Sequence, residues 1–131
     1  MKEEKKKIFL VDDDMDYLFQ IKTNIEEMDY EVITAESQKD AEDKLQDFRP
    51  DLAIVDLMME NEDSGFIVSY KIKKKYPEVP VIIATAVTAE TGYTFDLSSP
   101  DEKQWIKADL YLDKSLRKDQ LHREIRRLLK E

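Results

Sequence analysis

The chain reads as an α/β domain built on a doubly wound parallel sheet, with helices covering both faces. Short apolar runs alternate with helix-patterned stretches along its whole length. Three of these runs, Ile8-Phe9-Leu10-Val11, Leu52-Ala53-Ile54-Val55 and Val81-Ile82-Ile83-Ala84, are apolar without interruption, as strands buried on both faces are. The stretches between the runs are long enough for the right-handed crossovers that join parallel strands.

The elements follow in order. Ile8–Val11 is the first strand and stops at Asp12-Asp13-Asp14. Leu18, Ile21, Ile25 and Met28 then recur on one helical face, with Asp14 and Asp16 ahead of them as cap and first-turn acid. Glu31–Ala35 is the second strand. Ala41, Leu45 and Phe48 recur at helical spacing, and Pro50 ends that helix. Leu52–Val55 is the third strand and stops at Asp56. Gly65 opens a helix that turns Phe66, Ser69, Ile72 and Tyr76 inward, and Pro77 stops it. Val81–Ala84 is the fourth strand and stops at Thr85. The stretch from Thr85 to Lys114 exceeds what one helix and two short loops need. Its first part, Val87 to Ser98, reads as a long ordered loop. Ser99-Pro100-Asp101-Glu102 is a capping box that starts a short helix running to about Ile106. Leu110-Tyr111-Leu112 is a weaker fifth strand, leading through Asp113 to Lys114. Leu121, Ile125 and Leu128 line one side of the last helix, on which His122 reads as exposed. Residues 1–131 are expected to form a single domain, with its core over about 7–130 and no output domain.

Composition narrows the chemistry. The absence of cysteine excludes disulfides and thiolate metal sites, and a single histidine excludes a histidine-rich zinc site. A net charge of -9 argues against non-specific binding to nucleic acid or to an anionic membrane. No apolar stretch approaches the roughly 20 residues of a membrane span. Met1 to Lys7 carries no apolar signal core, so the cytoplasm is the expected location. The basic clusters at Lys5–Lys7, Lys73–Lys75 and along Arg117–Glu131 read as solvated faces.

In open parallel sheets ligands bind beyond the carboxyl ends of the strands, where the strand order reverses. Asp12, Asp13, Asp56, Thr85 and Lys114 all stand at such ends. Carboxylates brought together there repel one another unless a cation lies between them, which predicts a divalent-metal site. Taken singly, each residue has a plainer reading: the aspartates as solvated loop and cap, Thr85 as a strand-end hydroxyl, Tyr111 as core. Their convergence at one sheet edge favours the site.

Four segments carry a resemblance to a family. Val11-Asp12-Asp13, Pro50 to Met58, Pro80 to Ala86 and Ala108 to Lys114 stand in the right order at the ends of the right strands. Over essentially its whole length the chain resembles the receiver domain of two-component response regulators. The resemblance implies a flavodoxin-like fold with strand order 2-1-3-4-5. It also implies Asp56 as phospho-acceptor, taking a phosphoryl group from a sensor histidine kinase or a histidine phosphotransfer protein. Mg2+ would be bound by Asp13 and Asp56, by Asp12 through water and by the backbone carbonyl of Met58. Lys114 would offset phosphoryl charge, Thr85 and Tyr111 would form the switch, and a downstream protein effector would dock on the 86–131 face. The implied product is an altered surface rather than a released metabolite, so the chain is expected not to be a classical enzyme.

The chain departs from the family in three places. The loop after Asp56 has Glu60 where the family has a proline nearby, and it reaches Gly65 one residue late. Ser115 follows Lys114 where the family has proline. The Thr85–Lys114 connection is long. Met58 and Val87, two residues beyond Asp56 and Thr85, are both apolar and cannot orient water, which predicts slow self-dephosphorylation. Two other functions compete. One is a degenerate receiver acting as a phosphate-independent interaction module. The other is a haloacid-dehalogenase-like phosphatase, which Met58 disfavours because that class carries a second aspartate there.

Overall fold

The computed structural model describes residues 5–57, 59, 64–85, 109–114 and 117–130, with the backbone alone at Thr85. Its elements are β1 (Lys7–Val11), α1 (Met15–Glu26), β2 (Glu31–Ala35), α2 (Gln38–Lys44), β3 (Leu52–Asp56), α3 (Ser64–Lys75), β4 (Val81–Thr85), β5 (Leu110–Asp113) and, last, α4 (Lys118–Leu129). The strands form one sheet in the order β2-β1-β3-β4-β5, and every pairing is parallel. The predicted loop over 87–98, the predicted helix to Ile106, Met58 and the Lys114–Ser115 bond lie outside the described residues.

The two-residue period of a strand divides the core. Ile8, Leu10, Leu52, Ile54, Ile82 and Ala84 face α1 and α4, where Leu18, Ile21, Ile25, Leu121 and Ile125 complete a buried cluster. Phe9, Val11, Ala53, Val55 and Val81 face the other way, onto Ala41 and Leu45 below α2 and Val68 and Ile72 of α3. Phe48 closes that second cluster, its ring edge-on to Phe9 with centroids 5.1 Å apart. Ile83 and Leu57 form a third, small cluster with Phe66 and Tyr111 packed against it.

The first period carries the sheet into the site. Asp12 extends the Ile8-Leu10 parity, Asp56 the Leu52-Ile54 parity and Lys114 the Leu110-Leu112 parity. All three therefore leave the sheet on the α1/α4 face. The ladder holds them there by running past the strand ends: the Asp12 N–H donates to Ala35 O (3.1 Å) and the Leu57 N–H to Ala84 O (3.0 Å).

The opposite edge of the sheet is pinned by two matching clasps. Asp51 precedes β3; its carboxylate accepts from the Lys7 N–H at 2.7 Å, and its own N–H donates to Lys7 O at 2.8 Å. Asp109 precedes β5; its carboxylate accepts from the Val81 N–H at 2.8 Å, and its N–H donates to Val81 O at 2.8 Å. Lys73 of α3 also pairs with Asp109 at 2.6 Å. Each clasp satisfies the first donor of a strand whose neighbour starts one residue later.

Two elements and one residue differ from the sequence reading. α2 ends at Lys44 with Leu45 as its C-cap, short of Pro50. Beyond it the chain tightens into i→i+3 turns, Gln46 N–H to Asp43 O and Asp47 N–H to Lys44 O, which still bring Phe48 to the same face. α3 begins at Ser64, one residue ahead of Gly65. His122 is half-buried rather than exposed, its Nε2 standing 3.0 Å from Asn24 O so that α4 is fastened to α1.

Candidate functional site

Asp12 and Asp56 are buried at the carboxyl ends of β1 and β3, the latter with only 6% of its surface exposed. The Lys114 ammonium bridges them, 2.9 Å from Asp12 Oδ2 and 3.0 Å from Asp56 Oδ1. The other Asp12 oxygen accepts from the Asp14 N–H at 2.9 Å, which turns the chain out of β1 and into α1. Asp14 is the N-cap of α1 and accepts from Asp16 N–H and Tyr17 N–H, as its place before a helical face predicts. Asp13 is exposed, yet Asp12, Asp13 and Asp56 each bring a carboxylate oxygen within 4.8 Å of the others.

Gly65 sets how closely α3 approaches this edge. Its N–H donates to Leu57 O at 2.8 Å. A Cβ there would stand 2.6 Å from Leu57 Cα and would also collide with the carbonyl oxygen of Asp56. Only glycine lets the start of α3 lie against the residues that carry Asp56.

Electrostatics at the site are unbalanced without a metal. Burial, and then the Asp12 carboxylate, push the Asp56 carboxyl up to about 7, while Lys114 opposes both. Burial depresses the Lys114 ammonium, but its hydrogen bond to Asp12 and the charges of Asp56 and Asp12 outweigh that, so its pKa is raised. One lysine cation is too little for three converging carboxylates. The donor set consists of carboxylate oxygens at a solvent-facing edge, which fits a hard divalent cation such as Mg2+.

Among the residues not singled out from sequence, Tyr17 touches the site. Its ring centroid lies 4.7 Å from Lys114 Nζ. Burial pushes its hydroxyl up to about 12, with Lys114 opposing and the neighbouring aspartates reinforcing the shift. The readable signal was its place in the first turn of α1, one residue before Leu18 on the inward face. Tyr111 is half-buried on β5, edge-on to Phe66 with ring centroids 6.4 Å apart. The backbone of Thr85 ends β4 opposite Asp113.

The response regulator receiver domain family matches residues 8–126 of this chain. The chain belongs to that family. Similar solved structures include a CheY-like response regulator receiver domain protein from Methanospirillum hungatei, with TM-score 0.81 and 24% identity, covering 97% of this chain and 95% of that one. A two-component response regulator from Clostridium difficile has TM-score 0.80 and 22% identity over 97% of this chain and 98% of its own. These two bear on the receiver fold alone. The response regulator TrrA from Thermotoga maritima, solved in complex with Mg(2+)-BeF, is 28% identical with TM-score 0.76, over 94% of this receiver domain and 98% of its own chain. Among the described residues of the receiver domain, no helix is long and apolar enough to cross a membrane.

Proposed function

We propose that this receiver domain accepts a phosphoryl group on Asp56 and signals through the change of surface that follows. One observation carries the reading. Asp12, Asp13 and Asp56 converge within 4.8 Å, and Lys114 bridges the buried pair at 2.9 Å and 3.0 Å.

In the proposed step an Asp56 carboxylate oxygen attacks the phosphorus of a phosphohistidine on a sensor histidine kinase or histidine phosphotransfer protein. The O–P bond forms as the P–N bond breaks, and the electron pair returns to the imidazole nitrogen of the donor. Lys114 already stands at hydrogen-bond distance from Asp56, so it offsets charge on the phosphoryl oxygens without reorganising. Asp13, Asp56, the Met58 carbonyl and, through water, Asp12 would hold Mg2+, whose charge would neutralise the transferring group. The Mg(2+)-BeF complex of TrrA supports that choice of ion.

The Thr85 hydroxyl would donate to a phosphoryl oxygen and draw its loop inward, with Tyr111 following. The phosphoryl group thus favours one of two arrangements and shifts the population toward it. A protein effector would read the change on the 86–131 face.

Incubation with Mg2+ and acetyl phosphate, followed by intact mass measurement, tests the reading. We expect a gain of one phosphoryl group that Asp56→Asn lacks. No gain would leave a phosphate-independent interaction module, and repeated turnover of phosphomonoesters would point to a phosphatase.

A further inference from the structure

We propose that Tyr17 is a positioning residue for phosphoryl transfer: its ring face holds the Lys114 ammonium over Asp56. The inference rests on the reading that Asp56 accepts phosphate with Lys114 beside it.

Lys114 stands just past the last paired position of the β4–β5 ladder. It lies one residue beyond β5, the edge strand of the sheet, and its long stem has many rotamers to lose. Its side chain is nevertheless only 17% exposed, with the ammonium on Asp12 and Asp56. The third wall of that pocket is the Tyr17 ring, 4.7 Å from Nζ to the centroid.

A ring face suits this task for a specific reason. It attracts the cation through its quadrupole, most strongly where water is excluded. It accepts no conventional hydrogen bond, so all three ammonium donors stay available for carboxylate and phosphoryl oxygens. Lys114 can exchange one oxygen for another while the wall holds still.

The wall is itself fixed. The Tyr17 N–H donates to Asp14 Oδ1 at 3.2 Å, in the first turn of α1. The ring also packs on the core cluster beneath α1 and α4. Asp14 thereby reaches the chemistry without touching it, through Tyr17 and then Lys114.

A packing role and a cation-holding role separate experimentally. The measurement is the rate of Asp56 phosphorylation by acetyl phosphate with Mg2+, read by intact mass. Tyr17→Leu, which keeps an apolar side chain but loses the ring, should slow the reaction about five-fold, and Tyr17→Phe should recover most of that loss. Phenylalanines bearing one, two and three ring fluorines at position 17 keep the shape while draining the ring face of charge. Their rates should fall in that order, with melting temperatures unchanged. A wild-type rate in Tyr17→Leu, or equal rates along the fluorinated series, would overturn the proposal while leaving Asp56 as acceptor. If the wild-type protein itself takes no phosphoryl group, both readings fall together.

Discussion

At the scale of single residues, Asp56 is held in a state that costs stability. Its carboxyl is raised from an ordinary 3.8 to about 7, so between those values the metal-free folded protein keeps a proton that the unfolded chain releases. A raised acid favours folding least where it must ionise, so stability falls as pH climbs from about 4 to about 7 and stays low above that. Asp56→Asn removes this penalty. In metal-free buffer the variant should be more stable than wild type by roughly 1–3 kcal/mol near pH 8 and little different near pH 4. Denaturant melts at the two pH values check it, and equal offsets at both would be the contrary result. A second expectation concerns lifetime. Met58 and Val87 offer no group to orient a hydrolytic water, so the aspartyl-phosphate should persist for many minutes; decay within seconds after removal of donor would contradict this. The aspartates and Lys114 were legible because each ends an apolar run. Tyr17 showed only its place in the first turn of α1; its contact with Lys114 was not legible, because Lys114 lies almost a hundred residues away in sequence.

At the scale of elements, the conspicuous feature is the pair of carboxylate clasps opposite the site. Asp109 satisfies the first N–H of β4 at 2.8 Å and takes the Lys73 ammonium at 2.6 Å. Asp109→Ala would leave both without that partner, and we expect a loss of about 1–2 kcal/mol in denaturant unfolding, with the intact-mass gain on phosphorylation unchanged. Unchanged stability would show that the clasp is replaced by water at no cost. Because the clasp lies at the far end of β4 and β5, it acts on the site only through the register of those strands. Strand limits were readable to within a residue wherever the strand is buried on both faces, since four apolar residues bounded by polar or turn residues are too few for a buried helix. The end of α2 was not readable. Its spacing of Ala41, Leu45 and Phe48 is satisfied equally by a helix and by a helix closed with i→i+3 turns, so periodicity alone could not place the stop. Gly65 was legible as the opening of α3, but not the reason for a glycine there, which is the close approach of the Asp56 and Leu57 backbone.

At the scale of the whole molecule, the architecture puts stability and chemistry on opposite ends of one sheet. Two apolar clusters clamp the strands from both faces, and this rigidity lets three carboxylates stand close together despite their repulsion. The strand alternation carried the fold class. The edge position of Asp12, Asp56 and Lys114 followed from the two-residue period continued past the strand ends. The switch half of the account, Thr85 and Tyr111, is less legible. A threonine at a strand end and a half-buried tyrosine on an edge strand serve many structures equally well. The central claim is that Asp56 is the residue that changes covalently, and reductive trapping tests it most directly. Borohydride converts an aspartyl-phosphate to homoserine, so the protein is treated with acetyl phosphate and Mg2+, reduced and mapped by peptide mass. The account predicts homoserine at position 56 and at no other position. Homoserine at Asp12 or Asp13, or none in a protein that has gained a phosphoryl group, would contradict it.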